Sequence, residues 1–216
     1  MTNDPHAKGA VLQRGAPLND ADFAVVLLHG RGGSAEDILQ LGSAFQLPNV
    51  AYLAPQASGH TWYPLSFLSP REANEPDLSS ALAKVDSVVQ SLEQAGFGRE
   101  RIVVAGFSQG ACLATEYVVS HPARYGGLIA FTGGLIGPPG SLRQPSSGEL
   151  AGTPALLCSG DPDPHVPWER VEQSAAILSA MDAKVTTKRY PSRPHTITQE
   201  ELDLARNLLL QISDKR

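Results

Sequence analysis

The stretch that decides the fold is Arg101-Ile-Val-Val-Ala-Gly106-Phe-Ser108-Gln-Gly110, which runs on into Ala111-Cys-Leu-Ala-Thr-Glu-Tyr-Val-Val119. Its β-branched apolar half predicts a buried strand, and the residues after Gly110 predict a helix. A Gly-x-Ser-x-Gly turn between a strand and a helix is typical of a nucleophile elbow, which lifts the serine hydroxyl clear of the sheet. The alternative is an ordinary turn whose serine caps the helix, so the prediction depends on partner residues elsewhere in the chain.

Composition indicates a single globular domain over residues 1–216. The chain is 42% hydrophobic and 18% charged, as ordinary globular proteins are. A net charge of -5, without a dense run of Lys or Arg, argues against nucleic-acid binding. Cys112 and Cys158 lie in apolar segments, so we expect buried thiols rather than a disulfide or a metal site.

The N-terminal sequence predicts neither an export signal nor a membrane span. Met1-Thr-Asn-Asp-Pro-His6 lacks a basic segment followed by an apolar one, and no apolar stretch approaches the ~18 residues that a bilayer requires. We therefore expect a cytoplasmic protein without stable membrane insertion. Residues 1–10, including His6, are expected to form a frayed terminus.

Strand-like and helix-like segments alternate along the rest of the chain. Continuous apolar runs predict buried strands at 24–28, 50–54, 102–105, 128–131 and 154–158. Residues 184–190 are more polar and alternating, which favours an edge strand. Helical periodicity covers 34–45, 75–95, 168–181 and 198–212. This order predicts an α/β fold, with a mostly parallel central sheet and helices on both faces.

Two long segments are not explained by that scaffold. One is the aromatic loop, residues 55–70, and the other is the Gly/Pro/Ser-rich segment 133–153. Both follow predicted strands, and ligands in such sheets bind beyond the carboxyl ends of the strands. We therefore expect pocket walls or a lid there. The predicted substrate-binding residues of the aromatic loop are Trp62, Tyr63, Phe67 and Leu68; the alternative is that they pin the loop to the core.

A serine hydroxyl needs a base before it can act as a nucleophile, and His195 fits that role best. It lies between the last predicted strand and the last predicted helix, where the chain order of nucleophile, acid and base expects it. His121 ends the helix that Ser108 begins, and at ~1.5 Å per residue it is too far away. His60 is a candidate pocket residue in the aromatic loop. A solvated loop histidine is the alternative interpretation of His195.

The acid is expected in the turn that follows the strand at 154–158. Asp161 and Asp163 both lie there, and either carboxylate could accept the imidazole proton. With His165 they could also form a metal cluster. No second group of ligands is apparent, however, and three alternating prolines constrain the turn, so we predict no metal.

The transition state also needs hydrogen-bond donors for its oxyanion. One predicted donor is the backbone N–H of Gln109, the residue after the nucleophile. The second should come from the turn His29-Gly-Arg31-Gly-Gly33, whose backbone N–H groups can point inward. A phosphate-binding loop is the alternative interpretation of these glycines, but the lysine and the spacing it needs are missing.

Together these motifs resemble the bacterial phospholipase/carboxylesterase family of α/β-hydrolases, which is related to acyl-protein thioesterases. The matching segments are Leu28-His-Gly-Arg-Gly32, Gly106-Phe-Ser-Gln-Gly110, Gly160-Asp-Pro-Asp-Pro-His-Val-Pro167 and His195-Thr-Ile197. The family pattern Gly-x-x-Asp-x-x-Val-Pro selects Asp163 over Asp161. It also implies that Arg31 supplies the second oxyanion N–H. We expect the Arg31 side chain to be solvated; the alternative is that it binds a substrate carboxylate.

The chain departs from the acyl-protein thioesterase pattern in two places. Those enzymes usually have an aliphatic residue and then Gly-Asp after the His-Gly pair, where this chain has Arg31-Gly-Gly-Ser34. Their catalytic histidine commonly follows glycine, whereas Pro194 precedes His195. Residues 62–67 look more like the small bacterial carboxylesterase branch, which argues against acyl-protein substrates.

The resemblance implies a cofactor-independent serine carboxylesterase acting on small-molecule esters. Ser108 would be the nucleophile, His195 the base and then the acid, and Asp163 the residue that orients the histidine. A thioesterase or lysophospholipase of the same fold is the enzymatic alternative, and a non-catalytic binding protein on a hydrolase scaffold is the other. Relatives are often dimers, so a homodimer is one oligomeric state that the resemblance allows.

Overall fold

The computed structural model describes residues 4–140 and 149–213. Within those residues, seven strands form one sheet in the order β1-β3-β2-β4-β5-β6-β7. Only β1 is antiparallel to its neighbour, β3; the other pairs are parallel. The strands are β1 (Val11–Gly15), β2 (Phe23–Leu28), β3 (Val50–Pro55), β4 (Ile102–Phe107), β5 (Gly127–Phe131), β6 (Pro154–Asp161) and β7 (Lys184–Pro191).

Helices cover both faces of this sheet. Residues of α3, α4 and α5 belong to one core cluster, and residues of α1, α2 and α6 belong to a second cluster across the sheet. Alternate side chains of β2 divide between the two clusters, as the two-residue period of a strand requires. The predicted α/β architecture is confirmed. The helices are α1 (Ala35–Ile38), α2 (Gln40–Phe45), α3 (Asp77–Gln94), α4 (Gln109–Ser120), α5 (Trp168–Ala180) and α6 (Gln199–Ser213).

Two local elements differ from the prediction. β1 was not expected, because most of its side chains are exposed and it therefore carries no continuous apolar run; its register with β3 is what defines it as a strand. The helix expected over 34–45 divides at Leu39, whose carbonyl accepts from the Gly42 N–H only three residues later. The edge position predicted for β7 is confirmed.

The N-terminal segment is not frayed where the structure describes it. His6 is fully buried, and its backbone N–H donates to Ser80 Oγ over 2.9 Å. Its ring Nε2 lies 2.9 Å from the carbonyl oxygen of Trp62. The prediction of a frayed terminus is therefore wrong for residues 4–10, because long-range hydrogen bonds that no local pattern reveals fasten the segment. Residues 1–3 lie outside the described residues.

Two expectations from composition can be compared with the structure directly. Cys112 and Cys158 are free and buried, as predicted, and burial raises the pKa of each thiol to about 12. In the two described stretches of chain, no helix has the length and apolar character needed to cross a bilayer.

Candidate active site

Ser108 lies at the tip of a sharp turn between β4 and α4. Its backbone has φ 55° and ψ −117°, a conformation that costs energy for any residue with a side chain and that clusters at functional sites. A Cβ on Gly106 would lie 2.4 Å from the Gly110 carbonyl, and one on Gly110 would lie 2.1 Å from the Leu28 carbonyl oxygen. The two glycines are thus required by close packing, and the strand–turn–helix order is the predicted one.

Three side chains from separate parts of the chain form one hydrogen-bonded row. His195 Nε2 lies 2.9 Å from Ser108 Oγ, and His195 Nδ1 lies 2.9 Å from Asp163 Oδ2. Because a carboxylate can only accept hydrogen bonds, Nδ1 carries the ring proton. Nε2 is therefore left to accept the Ser108 hydroxyl.

The Asp163 carboxyl is held in its ionised form. Burial alone would raise its pKa, but hydrogen bonds from the His165 N–H, the His195 ring and the Val166 N–H outweigh it and lower the pKa below the usual value. The two backbone bonds to Oδ1 are each 2.9 Å long. Asp161 instead forms an ion pair with Arg189. The structure therefore brings Asp163, and not Asp161, to His195.

The two predicted oxyanion donors lie on adjacent turns. β2 and β4 are parallel neighbours with Leu28 opposite Gly106, so the turns that follow them end at the same edge of the sheet. Gln109 is the first residue of α4. The N–H groups in the first turn of a helix have no carbonyl acceptor within that helix. Arg31, Gln109 and Ser108 all line the same cavity.

The side chains of Arg31 and Gln109 both hold the aromatic loop. The Arg31 guanidinium is exposed, yet it donates to three consecutive carbonyls, those of residues 63–65, over 2.7 to 3.0 Å. The buried Gln109 amide accepts from the Trp62 N–H (3.0 Å) and donates to the Tyr63 carbonyl (2.8 Å). Arg31 is thus exposed, as expected, but it also makes three hydrogen bonds that the sequence did not indicate.

A cavity of about 660 Å³ opens beside Ser108. Tyr63, Phe67 and Leu68 line it as predicted, whereas Trp62 does not. Trp62 is fully buried and donates its indole N–H to the His29 carbonyl over 2.9 Å. The prediction of a pocket wall is therefore wrong for Trp62. Its indole needs a buried acceptor, and pinning the loop to the core provides one.

Two other histidines differ from what the sequence indicated. His60 does not line the cavity; its Nδ1 lies 2.8 Å from the Gly33 carbonyl oxygen. His165 does line it, and its ring stands edge-on to that of His195 with centroids 4.9 Å apart. It was considered only as a metal ligand. Its place two residues after Asp163, in a turn beside the nucleophile, is the signal that could have indicated a cavity residue.

The segment 133–153, for which we expected pocket walls or a lid, is described only in part, because residues 141–148 lie outside the described residues. Its first part is firmly attached: buried Arg170 donates to the carbonyls of Leu135 and Gly137 over 2.8 and 2.7 Å. The Gly137 N–H in turn donates to the Phe67 carbonyl over 2.8 Å. This part is thereby hydrogen-bonded to Phe67, one of the residues that line the cavity.

Known proteins resemble this chain over nearly its whole length. The family model described as phospholipase/carboxylesterase matches residues 15–212. The crystal structure of a phospholipase/carboxylesterase from Dyadobacter fermentans is 46% identical, with a TM-score of 0.90 over 94% of this chain and 97% of that chain. Acyl-protein thioesterase 1 of Saccharomyces cerevisiae is 29% identical over 217 residues, covering 89% of this chain and 93% of its own length. A probable carboxylesterase of Arabidopsis thaliana, described as SOBER1-like, is 27% identical over 206 residues, or 87% of this chain and 78% of its own.

Proposed function

The chain belongs to the phospholipase/carboxylesterase family of α/β-hydrolases, and on that premise we propose that it cleaves small carboxylic esters through an acyl-enzyme intermediate. One observation carries the proposal: Ser108 Oγ, the His195 ring and the Asp163 carboxylate lie in a row with 2.9 Å between successive partners. Activation of a hydroxyl by a neighbouring base, itself oriented by a third group, is the general arrangement of nucleophilic catalysis.

In the first half of the reaction, Ser108 Oγ attacks the ester carbonyl carbon while its proton moves to His195 Nε2. The imidazolium that forms is stabilised by the Asp163 carboxylate. The carbonyl oxygen becomes an oxyanion, which the N–H groups of Arg31 and Gln109 would bind. Each such donor contributes about 3 to 4 kcal/mol to the stability of the transition state. His195 then gives its proton to the alcohol oxygen as the C–O bond breaks.

In the second half, a water molecule loses a proton to His195 Nε2 and attacks the acyl carbon. The proton returns to Ser108 Oγ as the acid leaves, so the enzyme is restored. Every proton transfer uses groups of this chain, and the scheme needs no cofactor. The role of Ser108 differs from that of a capping residue, because its side chain makes no capping bond to α4.

The cavity favours short acyl chains or aromatic groups. Its lining includes the apolar and aromatic side chains of Phe67, Leu68 and Val166. A volume of about 660 Å³ lies within the range of small-molecule sites and accommodates a small ester. The Arg31 and Gln109 bonds to the aromatic loop hold one of these walls in place.

A thioesterase is the second candidate, and the yeast acyl-protein thioesterase among the relatives favours it. Both reactions use the same acyl-enzyme, so the residues around Ser108 do not separate them. Hydrolysis of acetyl, butyryl and octanoyl nitrophenyl esters, compared with the matching thioesters, would do so. A preference for the oxygen esters of short acids is expected; a preference for octanoyl thioesters would favour the second candidate.

The catalytic assignment is tested by labelling with a serine-directed fluorophosphonate followed by mass mapping. The label is expected on Ser108 alone, and Ser108→Ala is expected to abolish both labelling and ester hydrolysis. Circular dichroism and the melting temperature of Ser108→Ala serve as the control for folding. Residual turnover by the folded variant, or a label on another residue, would refute the mechanism.

A further inference from the structure

A buried guanidinium that the mechanism does not use lies beside the catalytic histidine. Arg193 is only 7% exposed. Its Nη1 donates to the carbonyl of Pro194 over 3.0 Å and also to the carbonyl of Thr196. These two residues flank His195, so one side chain holds the backbone on both sides of the histidine.

The other end of the same guanidinium reaches two more elements of the fold. Arg193 Nη2 donates to Thr132 Oγ1 over 2.9 Å, just beyond the end of β5. It also lies 3.3 Å from Glu201 Oε1 in the first turn of α6. Both Thr132 and Glu201 are fully buried. The loop that carries His195 is thereby connected to the sheet and to the following helix.

Glu201 has a second task that fixes its own position. Its Oε2 accepts from both the backbone N–H and the hydroxyl of Thr198, each over 2.8 Å. This is the reciprocal bonding of a capping box at the start of a helix. Glu201 Oε1 makes no hydrogen bond, so its contact with Arg193 is a charge contact. An unpaired charge would be costly in this buried place, and each group neutralises the other.

The backbone of Arg193 is also held closely against the sheet. A Cβ on Gly160, near the end of β6, would lie 2.5 Å from the Arg193 carbonyl oxygen. Asp163 follows β6 in the turn that begins there. Arg193 therefore packs against β6 while its guanidinium holds the backbone around His195. The turn that follows β6 carries Asp163, the carboxylate partner of His195.

We propose that Arg193 is a positioning residue, whose guanidinium sets the distance and direction of the His195 ring toward both Ser108 and Asp163. The inference rests on the proposed function, because it concerns the base of that reaction. A misplacement of reacting groups by about 1 Å costs about 100-fold in rate. A purely structural Arg193 would instead lower the melting temperature and leave the turnover of each folded molecule unchanged.

The test uses the full chain with the double substitution Arg193→Met and Glu201→Gln. Methionine keeps most of the buried volume, and glutamine keeps the oxygen that caps Thr198 while removing the unpaired charge. We expect kcat, counted per fluorophosphonate-titrated site, to fall about 10-fold to 100-fold with KM within about 2-fold, since the part of the cavity lined by the aromatic loop is untouched. A kcat equal to that of the wild type in the folded double variant would overturn the proposal.

A milder variant keeps the proposal testable if the double variant does not fold. Thr132→Ala removes the hydroxyl that accepts from Arg193 together with the γ-methyl, whereas Thr132→Ser removes the methyl alone and keeps the hydroxyl. A several-fold loss of kcat in the alanine variant, recovered in the serine variant, is expected. The ring proton on His195 Nδ1 should also give a downfield NMR resonance that weakens in Thr132→Ala. An unchanged kcat and resonance would refute the positioning role.

Ser108→Ala is measured in parallel, so that two failures can be told apart. If Ser108→Ala keeps its activity, the proposed function is wrong. If it is inactive while the Arg193 and Thr132 variants turn over at the wild-type rate, only the positioning role is wrong.

Discussion

The two sides of Ser108 are built from different kinds of group. On the base side, residues 161–167 and 192–201, ionisable groups stand in pairs: the Asp163 carboxylate faces the His195 ring, and Glu201 faces Arg193. On the oxyanion side, residues 29–33 with the aromatic loop and Gln109, the buried side chains include no acid or base of opposite charge: they are chiefly the Gln109 amide, the His29 imidazole and the rings of Trp62, Tyr63 and Phe67.

This difference follows the charges that the proposed reaction develops. The base side must stabilise a transient imidazolium, and a fixed carboxylate does so at short range. The oxyanion side must stabilise a negative charge, so oriented N–H dipoles are useful there and a carboxylate would be harmful. The one cation on the oxyanion side, Arg31, bonds to neutral carbonyls instead of to an acid.

The largest effect is expected from Asp163→Asn on the base side. An amide can donate to His195 Nδ1 and so favour the ring tautomer whose Nε2 carries the proton, which cannot accept from Ser108. We expect kcat to fall about 10⁴-fold, measured per titrated active site. Asp161→Asn is the matched control, because it removes a carboxylate that pairs with Arg189. A comparable fall in Asp161→Asn would contradict the assignment.

A smaller effect is expected from Gln109→Ala on the oxyanion side. The variant keeps the backbone N–H but leaves the Trp62 N–H and the Tyr63 carbonyl without their buried partner. Such orphaned groups cost about 1 to 3 kcal/mol each, so both the melting temperature and kcat/KM should fall, the latter about 10-fold or more. Gln90→Ala, at an exposed position of α3, should leave both unchanged. Equal behaviour of the two variants would mean that the Gln109 hydrogen bonds to the aromatic loop are not needed for stability or catalysis.

A weaker loss is expected from Arg31→Met. Its three bonds to residues 63–65 lie at an exposed position, where they contribute about 1 kcal/mol or less to stability. Because the backbone N–H remains, kcat should change little, while KM for the larger esters should rise a few-fold as the wall loosens. Arg31→Lys, which keeps the charge but not the planar fork, should resemble Arg31→Met. A wild-type KM in Arg31→Lys would show that the positive charge, and not the three hydrogen bonds of the guanidinium, holds the wall.

The smallest effect concerns stability at acidic pH on the oxyanion side. Burial is the main cause that lowers the pKa of His29 in the folded protein. Below the unfolded value of about 6.5 the unfolded chain therefore binds more protons than the folded one, so stability falls as pH drops through that value. For one proton the slope is at most about 1.4 kcal/mol per pH unit.

The contribution of His29 to this pH dependence is measured by urea unfolding of the wild type and His29→Gln at pH 7.5 and 5.5. The acid-induced loss should be smaller in the variant, which has no ring to protonate at this position. If both proteins lose the same stability on acidification, other groups are responsible and the buried ring of His29 is not.

Much of the fold was predictable because the signals for it are local. Five strands are short apolar runs, and the apolar residues of α3 recur every three or four positions. In both cases the pattern of apolar residues over a short segment predicts which side chains are buried. β1 has no such run, and its pairing with β3 is a contact between distant segments. The position of Trp62 was missed for the same kind of reason, since its acceptor, the His29 carbonyl, lies far away in sequence.

In the candidate site, too, local patterns predicted some residues, whereas contacts between distant segments were not predicted. Local patterns predicted Ser108 as the nucleophile from its strand–turn–helix context and His195 as the base from its loop. The choice of Asp163 over Asp161 came from a resemblance, and Asp163 is the acid that bonds to His195. No local pattern predicted the hydrogen bonds of Arg31 and Gln109 to the aromatic loop. The same is true of the ion pair between Arg193 and Glu201. A hydrogen bond or an ion pair between residues remote in sequence depends on where the chain folds back, and that is settled by packing of the whole core.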